Sequence, residues 1–206
     1  MERALYGAHV SPKYGEYAGH IHSAGLHLLN IVNDVLDISK IEAGQMEVCP
    51  EWLETPVLAR DAAALFSTRA LTAGIDLSIE IAAPRVFADR RAAHQILLNV
   101  LSNAVKFTPQ GGRIGLAVRA VEGGVEIAVS DTGCGIPEQA LPSIFDPFVQ
   151  TDNCYQRSKG GTGLGLALVR SLARLHGGEA RIESVLGQGT TVRVWFPDQQ
   201  IQVAAA

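Results

Sequence analysis

No stretch of the chain approaches the roughly 18 consecutive apolar residues that a bilayer-spanning helix requires, which excludes a transmembrane segment. The opening Met-Glu-Arg-Ala-Leu-Tyr lacks the basic-then-apolar pattern of a secretion signal. Cysteine is scarce. Cys49, Cys134 and Cys154 are odd in number and far apart, with no Cys-x-x-Cys pair, so they read as reduced thiols rather than a disulfide frame or zinc site. These absences point to a cytoplasmic segment with no membrane contact of its own, whether or not a longer parent is membrane-anchored. Basic excess is also missing: 17 Lys+Arg stand against 21 Asp+Glu, a net charge of −4. Without clustered cations there is no surface for nucleic-acid phosphates. Charged residues make up 18% and apolar residues 47%, too apolar for disorder. Glycine alone is in surplus, 21 of 206 residues, against a usual share of ~7%. The length allows one sizeable domain and an appendage, or one large domain, at roughly 150 residues per domain.

Residues 1–15 carry Gly7, Pro12 and Gly15 with little pattern, and read as a loop or frayed end. From 16 to 43 the spacing is helical. Ile21, Leu28 and Val35 recur every seven residues, as do Ala24, Ile31 and Ile38, and Leu29, Val32 and Leu36 widen the seam. Gly44 stops the helix. Such a helix either lines an ordinary core or pairs with another helix, and the breadth of its apolar face favours pairing. Residues 46–52 read as a short strand, and Pro56 opens a helix to about Ala73. Alternation of Ile75, Leu77, Ile79 and Ile81 predicts a half-buried strand, followed by a connection over 84–89. A helix over 91–107 places Ile96, Leu97, Val100 and Leu101 on one face. Strands 113–120 and 124–130 hinge at Gly123-Gly124 as a hairpin. After a Gly/Pro-rich stretch over 131–163 come a helix over 164–176, strands 180–184 and 190–196, and a loose tail from 198. The mixture is α+β.

Three patterns carry chemistry. Gly160-Gly161-Thr162-Gly163-Leu164-Gly165 opens directly into a helix, where converging backbone N–H groups and the helix dipole favour an anion. A flexible surface loop would read the same way. No Lys-Ser/Thr pair closes the run and no strand leads directly into it, so Walker-type and dinucleotide sites do not fit. Asp131-Thr132-Gly133-Cys134-Gly135-Ile136 follows an apolar strand, and its carboxylate could accept a hydrogen bond from a ligand amino group. A plain Asp-Gly turn is the alternative. Asn99, Asn103 and Lys106, at spacings of four and three, share one helix face. Two amide oxygens beside a cation suit a hydrated Mg²⁺ carrying phosphate oxygens, whereas a solvated polar stripe would look similar. Asn is a poor helix former, so using it twice on one face costs propensity.

In this order the patterns resemble the N, G1, F and G2 boxes of sensor histidine kinases of two-component systems. The matching residues are Asn99…Asn103 with Lys106, Asp131-x-Gly133-x-Gly135, Phe145-Asp146-x-Phe148 and Gly161-x-Gly163-x-Gly165. The nucleotide-binding part of that family belongs to the Bergerat-type (GHKL) ATPases. Gly187-x-Gly189-Thr190 is similar to the family's last glycine motif, and residues 28–44 look like the second helix of its dimerisation hairpin. The resemblance spans residues 14–197. It implies a two-layer α/β sandwich preceded by one long coiled-coil-like helix. It also divides the chain into 1–45, a partial dimerisation region holding only the second hairpin helix, 46–198, the ATP-binding catalytic domain, and 199–206, a tail.

The resemblance further implies ATP and Mg²⁺. Asn103 would coordinate the metal, Asn99 would support it or polarise the reaction, and Lys106 would meet phosphate, the three forming the catalytic set. Phe107 would pack near the adenine, and Ile136 would also contact the nucleotide. Asp131 would receive the adenine amino group, aided by a water near Thr190. Gly133 and Gly135 would let the base lie close, while Gly161, Thr162, Gly163, Leu164 and Gly165 would wrap the phosphates. Residues 149–159 would form the ATP lid, whose cations Arg157 and Lys159 either stabilise the transferring phosphoryl group or are solvated.

One departure stands out. The family's phosphoacceptor lies in a pattern like His-Glu-x-Arg-x-Pro-Leu, and none of His9, His20, His22, His27, His94 and His176 fits it. The residues before Tyr14 are too few for the first hairpin helix, so the expectation is that this chain does not phosphorylate itself at the usual site. The implied partners are a second copy through residues 16–43, a response regulator, or the histidine-bearing hairpin of a longer form. Two other readings stand beside this one: a nucleotide-responsive binding module without phosphotransfer, and another GHKL enzyme such as a serine kinase or a DNA-remodelling ATPase.

Overall fold

The structure, a computed structural model, describes residues 12–150 and 161–198. It opens with α1 (Pro12–Glu42). Residues 12–15 are already helical, ahead of the expected position 16. Of the loop or frayed end expected over 1–15, residues 12–15 are helix instead, carried by the amphipathic run that follows, while 1–11 and the tail over 199–206 lie outside the described residues. Then follow β1 (Glu51–Glu54), α2 (Thr55–Thr72), β2 (Asp76–Ile81), β3 (Arg85–Ala88) and α3 (Arg90–Phe107). The chain continues through β4 (Arg113–Val121), β5 (Gly124–Asp131), a 3₁₀ turn (Glu138–Ser143), α4 (Gly165–Leu175), β6 (Glu179–Val185) and β7 (Gly189–Pro197).

Five strands form one sheet in the order β2-β4-β5-β7-β6, with β2 parallel to β4 and the other pairs antiparallel. Alternation puts Ile114, Leu116 and Val118, Val125, Ile127 and Val129, and Val192, Val194 and Phe196 on one buried face. Ile96, Leu97 and Leu101 of α3 and Leu168, Val169 and Leu172 of α4 complete that core. Each such side chain contributes roughly 1.5–3 kcal/mol when fully buried. The opposite face carries Arg119, Glu126, Ser130 and Arg193, none of them buried, with Arg193 paired to Glu126 at 3.1 Å. This is the expected two-layer α/β sandwich.

Two short strands differ from expectation. The strand expected over 46–52 forms at Glu51–Glu54, and the expected connection over 84–89 contains β3. They pair antiparallel with each other, Trp52 opposite Phe87 with ring centroids 5.4 Å apart. Four-residue strands carry too few residues for a period, and their position is set by the partner.

A polar knot ties the layers. Asp89 caps α3 by accepting from the Ala92 N–H (3.0 Å), and its other oxygen accepts from the Cys49 N–H (3.0 Å). The Asp89 N–H donates to His176 Nε2 (3.0 Å), whose Nδ1 lies 2.7 Å from the Leu172 carbonyl. These partners fix the tautomer with the proton on Nδ1. Burial lowers the His176 pKa, so the ring is neutral, and it packs edge-on against Phe196. Burial pushes the Asp89 carboxyl up, but its backbone N–H bonds outweigh this and hold it below the usual carboxylate value.

The α1 seam divides. Ile38 is buried, and Ile31, Val35 and Ile41 pack partly buried against the hydrophobic core. Towards the N-terminus Ile21 and Leu28 stay 74% and 61% exposed. No described helix is long and apolar enough to cross a membrane.

Candidate nucleotide site

The site grows from strand periodicity. In β5 the alternation that buries Val125, Ile127 and Val129 continues to Asp131, so its carboxylate points to the helix side of the sheet. Across the ladder, Thr190 stands opposite Asp131 and shares the parity of Val192 and Val194. Burial raises the Asp131 pKa, opposed by hydrogen bonds from the backbone N–H groups of Gly133 and Thr190. The Gly133 bond measures 2.8 Å.

These residues open into a cavity of about 1330 Å³. Its walls include Asn99, Asn103, Lys106 and Phe107 of α3, then Asp131, Gly135, Ile136 and Thr190, and Gly161, Thr162, Gly163 and Gly165 at the start of α4. Lys106 lies over the Phe107 ring, Nζ 4.7 Å from its centroid. Among the described residues, Asn99 Nδ2 is a buried side-chain donor without a hydrogen-bond partner. A buried, unmatched donor is costly, and a ligand oxygen would satisfy it. Thr162 Oγ1 accepts from the Leu164 N–H (3.2 Å), shaping the turn into α4.

Two expected residues are absent from the wall. The Leu164 side chain sits in the core, 1% exposed, so only its backbone can serve the loop. Gly133 is buried behind Asp131. A Cβ there would lie 2.6 Å from the Phe107 carbonyl oxygen, so the chain's own packing requires this glycine, independent of any base. Gly135 is similar: its φ is +67° and a Cβ would collide with the Val185 carbonyl. Lys159, Arg157 and Cys154 lie outside the described residues, and Cys49 and Cys134 are in no disulfide.

Phe148, just before the expected lid, and Gln150, at its start, are joined to the glycine loop. The Phe148 N–H donates to the Gly163 carbonyl (3.1 Å), and Gln150 Nε2 donates to the Gly161 carbonyl (2.8 Å). Phe148 has φ +65°, a strained backbone for a bulky residue that costs on the order of 1–3 kcal/mol, and its ring is 66% exposed. Phe145 is buried beneath the Arg170 guanidinium, which pairs with Asp146 at 3.1 Å.

Sequence reasoning missed two contributions. The first is the polar stripe Asn30, Asn33, Asp34 and Asp37 of α1, which borders the same cavity. Its spacing of three and four was a readable signal, overshadowed by the apolar seam. Burial, and then the neighbouring charge of Asp37, raises the Asp34 pKa. The second is Ser184, whose hydroxyl touches Ile136, Gly189 and Thr190; a serine near a strand end carries no signal of its own.

Mg²⁺ can be tested against this donor set. Among the described residues no group of three or more His, Cys, Asp or Glu could hold a metal ion. The amides of Asn99 and Asn103 fit an ion that keeps its waters and takes its remaining oxygens from phosphates.

A glycine loop at a helix start, an amide-and-lysine helix face and a half-buried carboxylate at a strand end, all on an α/β sandwich, define a nucleotide-binding ATPase domain. The chain belongs to the family of histidine kinase-, DNA gyrase B- and HSP90-like ATPases, which matches residues 88–200. Within it the chain is a catalytic domain of the sensor histidine kinase kind. It is 45% identical over 199 residues to the histidine protein kinase DivJ of Caulobacter vibrioides, spanning 96% of this chain and 33% of that protein. It is 42% identical over 196 residues to the circadian input-output histidine kinase CikA of Synechococcus elongatus, spanning 93% and 26%. The crystal structure of full-length ShkA in complex with AMPPNP matches with a TM-score of 0.82 and 36% identity, covering 100% of this chain and 42% of that one. The chain thus spans a third or less of these curated relatives.

Proposed function

We propose that this chain is the catalytic ATP-binding portion of a sensor histidine kinase, which binds Mg-ATP and transfers the γ-phosphoryl group to a histidine in two-component signalling. The observation that carries the reading is the convergence of Asn99, Asn103 and Lys106 with Asp131 and the 161–165 loop on one cavity. The Asp131 carboxylate accepts from the adenine amino group, and Phe107 and Ile136 flank the base. Backbone N–H groups of the loop and the α4 dipole hold the phosphates, and Lys106 adds a cation. Asn103 would hold Mg²⁺, whose chemistry is to neutralise charge on the phosphate oxygens. The orphan donor of Asn99 would bind a phosphate oxygen or a water beside it. Held this way, the γ-phosphorus is open to in-line attack by an imidazole nitrogen; the new P–N bond forms as the bond to the β-γ bridging oxygen breaks and ADP leaves.

The acceptor imidazole comes from a histidine-bearing hairpin of a longer form or another chain. His176 is ruled out as a nucleophile because both its ring nitrogens are engaged and buried. The other histidines lack the acidic neighbour of the family's acceptor pattern. The exposed end of the seam, Ile21, Leu28, Leu29 and Val32, suits pairing with a second copy, and the phosphohistidine would serve a cytoplasmic response regulator. Calorimetric titration with ATP, with and without Mg²⁺, tests the site. Wild type should bind more tightly with the metal, and Asn103→Ala should lose that gain. No ATP binding by wild type, or an equal metal effect in both proteins, overturns the reading.

A further inference from the structure

We propose that Ser184 is a specificity-determining positioning residue of the base site: it captures the Thr190 hydroxyl proton and leaves Thr190 only lone pairs to offer a ligand. This rests on the nucleotide reading above.

Counting donors and acceptors around Ser184 assigns the protons. Ser184 of β6 stands opposite Thr190 of β7. Its Oγ receives the Ile136 N–H at 2.8 Å, lies 2.8 Å from the Gly189 carbonyl oxygen, and lies 2.8 Å from Thr190 Oγ1. A serine hydroxyl has one proton and two lone pairs. The Gly189 carbonyl can only accept, so the Ser184 proton goes there. The Ile136 N–H takes one lone pair, and the other is left for Thr190, which must donate. All three contacts are then hydrogen bonds, and Ser184 is saturated.

Thr190 is left as an acceptor beside Asp131, its partner across the β5–β7 ladder. Both line the cavity, and the Asp131 carboxylate also accepts. That end of the site therefore offers acceptors to a ligand edge. It matches an exocyclic amino group, which has two N–H donors, and opposes an exocyclic carbonyl, whose lone pairs would face lone pairs. Had the Thr190 proton been unclaimed, the hydroxyl could turn and greet either group. Ser184 does not touch the base; it acts through Thr190.

The test compares isosteres. Ser184→Thr keeps the hydroxyl and Ser184→Val removes it, and both are β-branched residues suited to a strand. Dissociation constants for ATP and for inosine triphosphate, its 6-oxo counterpart, are measured in wild type, both variants, Thr190→Val and the double variant Ser184→Val/Thr190→Val. Wild type and Ser184→Thr should prefer ATP alike. Ser184→Val should lower the preference about five-fold, the scale of one hydrogen bond, as inosine triphosphate gains. On the Thr190→Val background the same change should leave the preference unaltered. If Ser184→Val weakens both nucleotides by one factor, or if the shift persists without the Thr190 hydroxyl, Ser184 is only structural support. Failure of wild type to bind either nucleotide overturns the nucleotide reading instead, and this inference with it.

Discussion

Asp131→Asn separates what the site does for a ligand from what it does for the fold. The carboxylate is pushed up by burial and steadied by the N–H groups of Gly133 and Thr190. Asparagine keeps an oxygen for the Gly133 N–H but replaces the charged acceptor with a neutral amide whose NH₂ faces the ligand amino group. A hydrogen bond to a charged partner is worth about 1.5–3 kcal/mol, so ATP affinity should fall about 10- to 150-fold. Stability should move the other way. Because the folded pKa is raised, the fold binds a proton more readily than the unfolded chain does. That contribution is complete below the unfolded value of 3.8 and is lost as pH rises through the folded pKa. Near neutrality the half-buried carboxylate is therefore a net cost, and removing its charge should leave the melting temperature unchanged or higher. Isothermal titration with Mg-ATP and thermal melts near neutral and at acid pH read both effects. An Asn variant that binds ATP within about two-fold of wild type, or melts lower by more than ~4 °C, would refute the reasoning.

Other perturbations probe the scaffold. His176 is neutral in the fold with its pKa depressed by burial, so stability should begin to decline as pH falls through 6.5, where the unfolded imidazole takes up its proton. His176→Gln, which can still donate to Leu172 and accept from Asp89, should flatten that limb of a melting-temperature profile; an unchanged slope would exonerate the histidine. Phe148→Gly relieves a positive φ at an exposed ring and should be neutral or stabilising by up to ~1 kcal/mol, whereas Phe148→Val should destabilise; denaturant titration of both checks the order. Ile21→Asp should leave the melting temperature unchanged but weaken self-association in sedimentation equilibrium, while Ile38→Ala should cost about 2–4 kcal/mol by opening a cavity under α1.

What could be read beforehand follows from the length scale of each interaction. The β4–β5 hairpin and α3 were legible because their period is local: Ile114, Leu116 and Val118 alternate, although the turn expected at Gly123-Gly124 falls one residue earlier, at Glu122-Gly123, since Gly124 pairs with Val121 in the ladder. Asp89 just before α3 is likewise a local signal, a carboxylate at the cap position of an apolar-periodic helix. The β1–β3 ribbon was not legible, since Trp52 and Phe87 find each other across 35 residues of sequence with four-residue strands around them. The division of the α1 seam was equally hidden. Ile21 and Ile38 look alike in a heptad, and it is the tertiary packing of α1, against α4 among others, that leaves one exposed and buries the other. Glycines were legible as a cluster, yet Gly133 and Gly135 prove to be demanded by Phe107 and Val185 of the chain itself. Ser184 is the extreme case, because its role exists only once β6, β7 and the 133–136 turn are assembled.

The proposed transfer delivers the γ-phosphoryl group to a histidine outside this chain. Its most direct test is incubation with γ-labelled ATP and Mg²⁺, alone and with a separately expressed helical hairpin joining a His-Glu-bearing helix to residues 16–43. The account predicts acid-labile, base-stable label on the hairpin, absent when Asn103 is replaced by alanine, and none on the chain alone. Label at one of the chain's own histidines, or an unlabelled hairpin despite bound ATP, would contradict it.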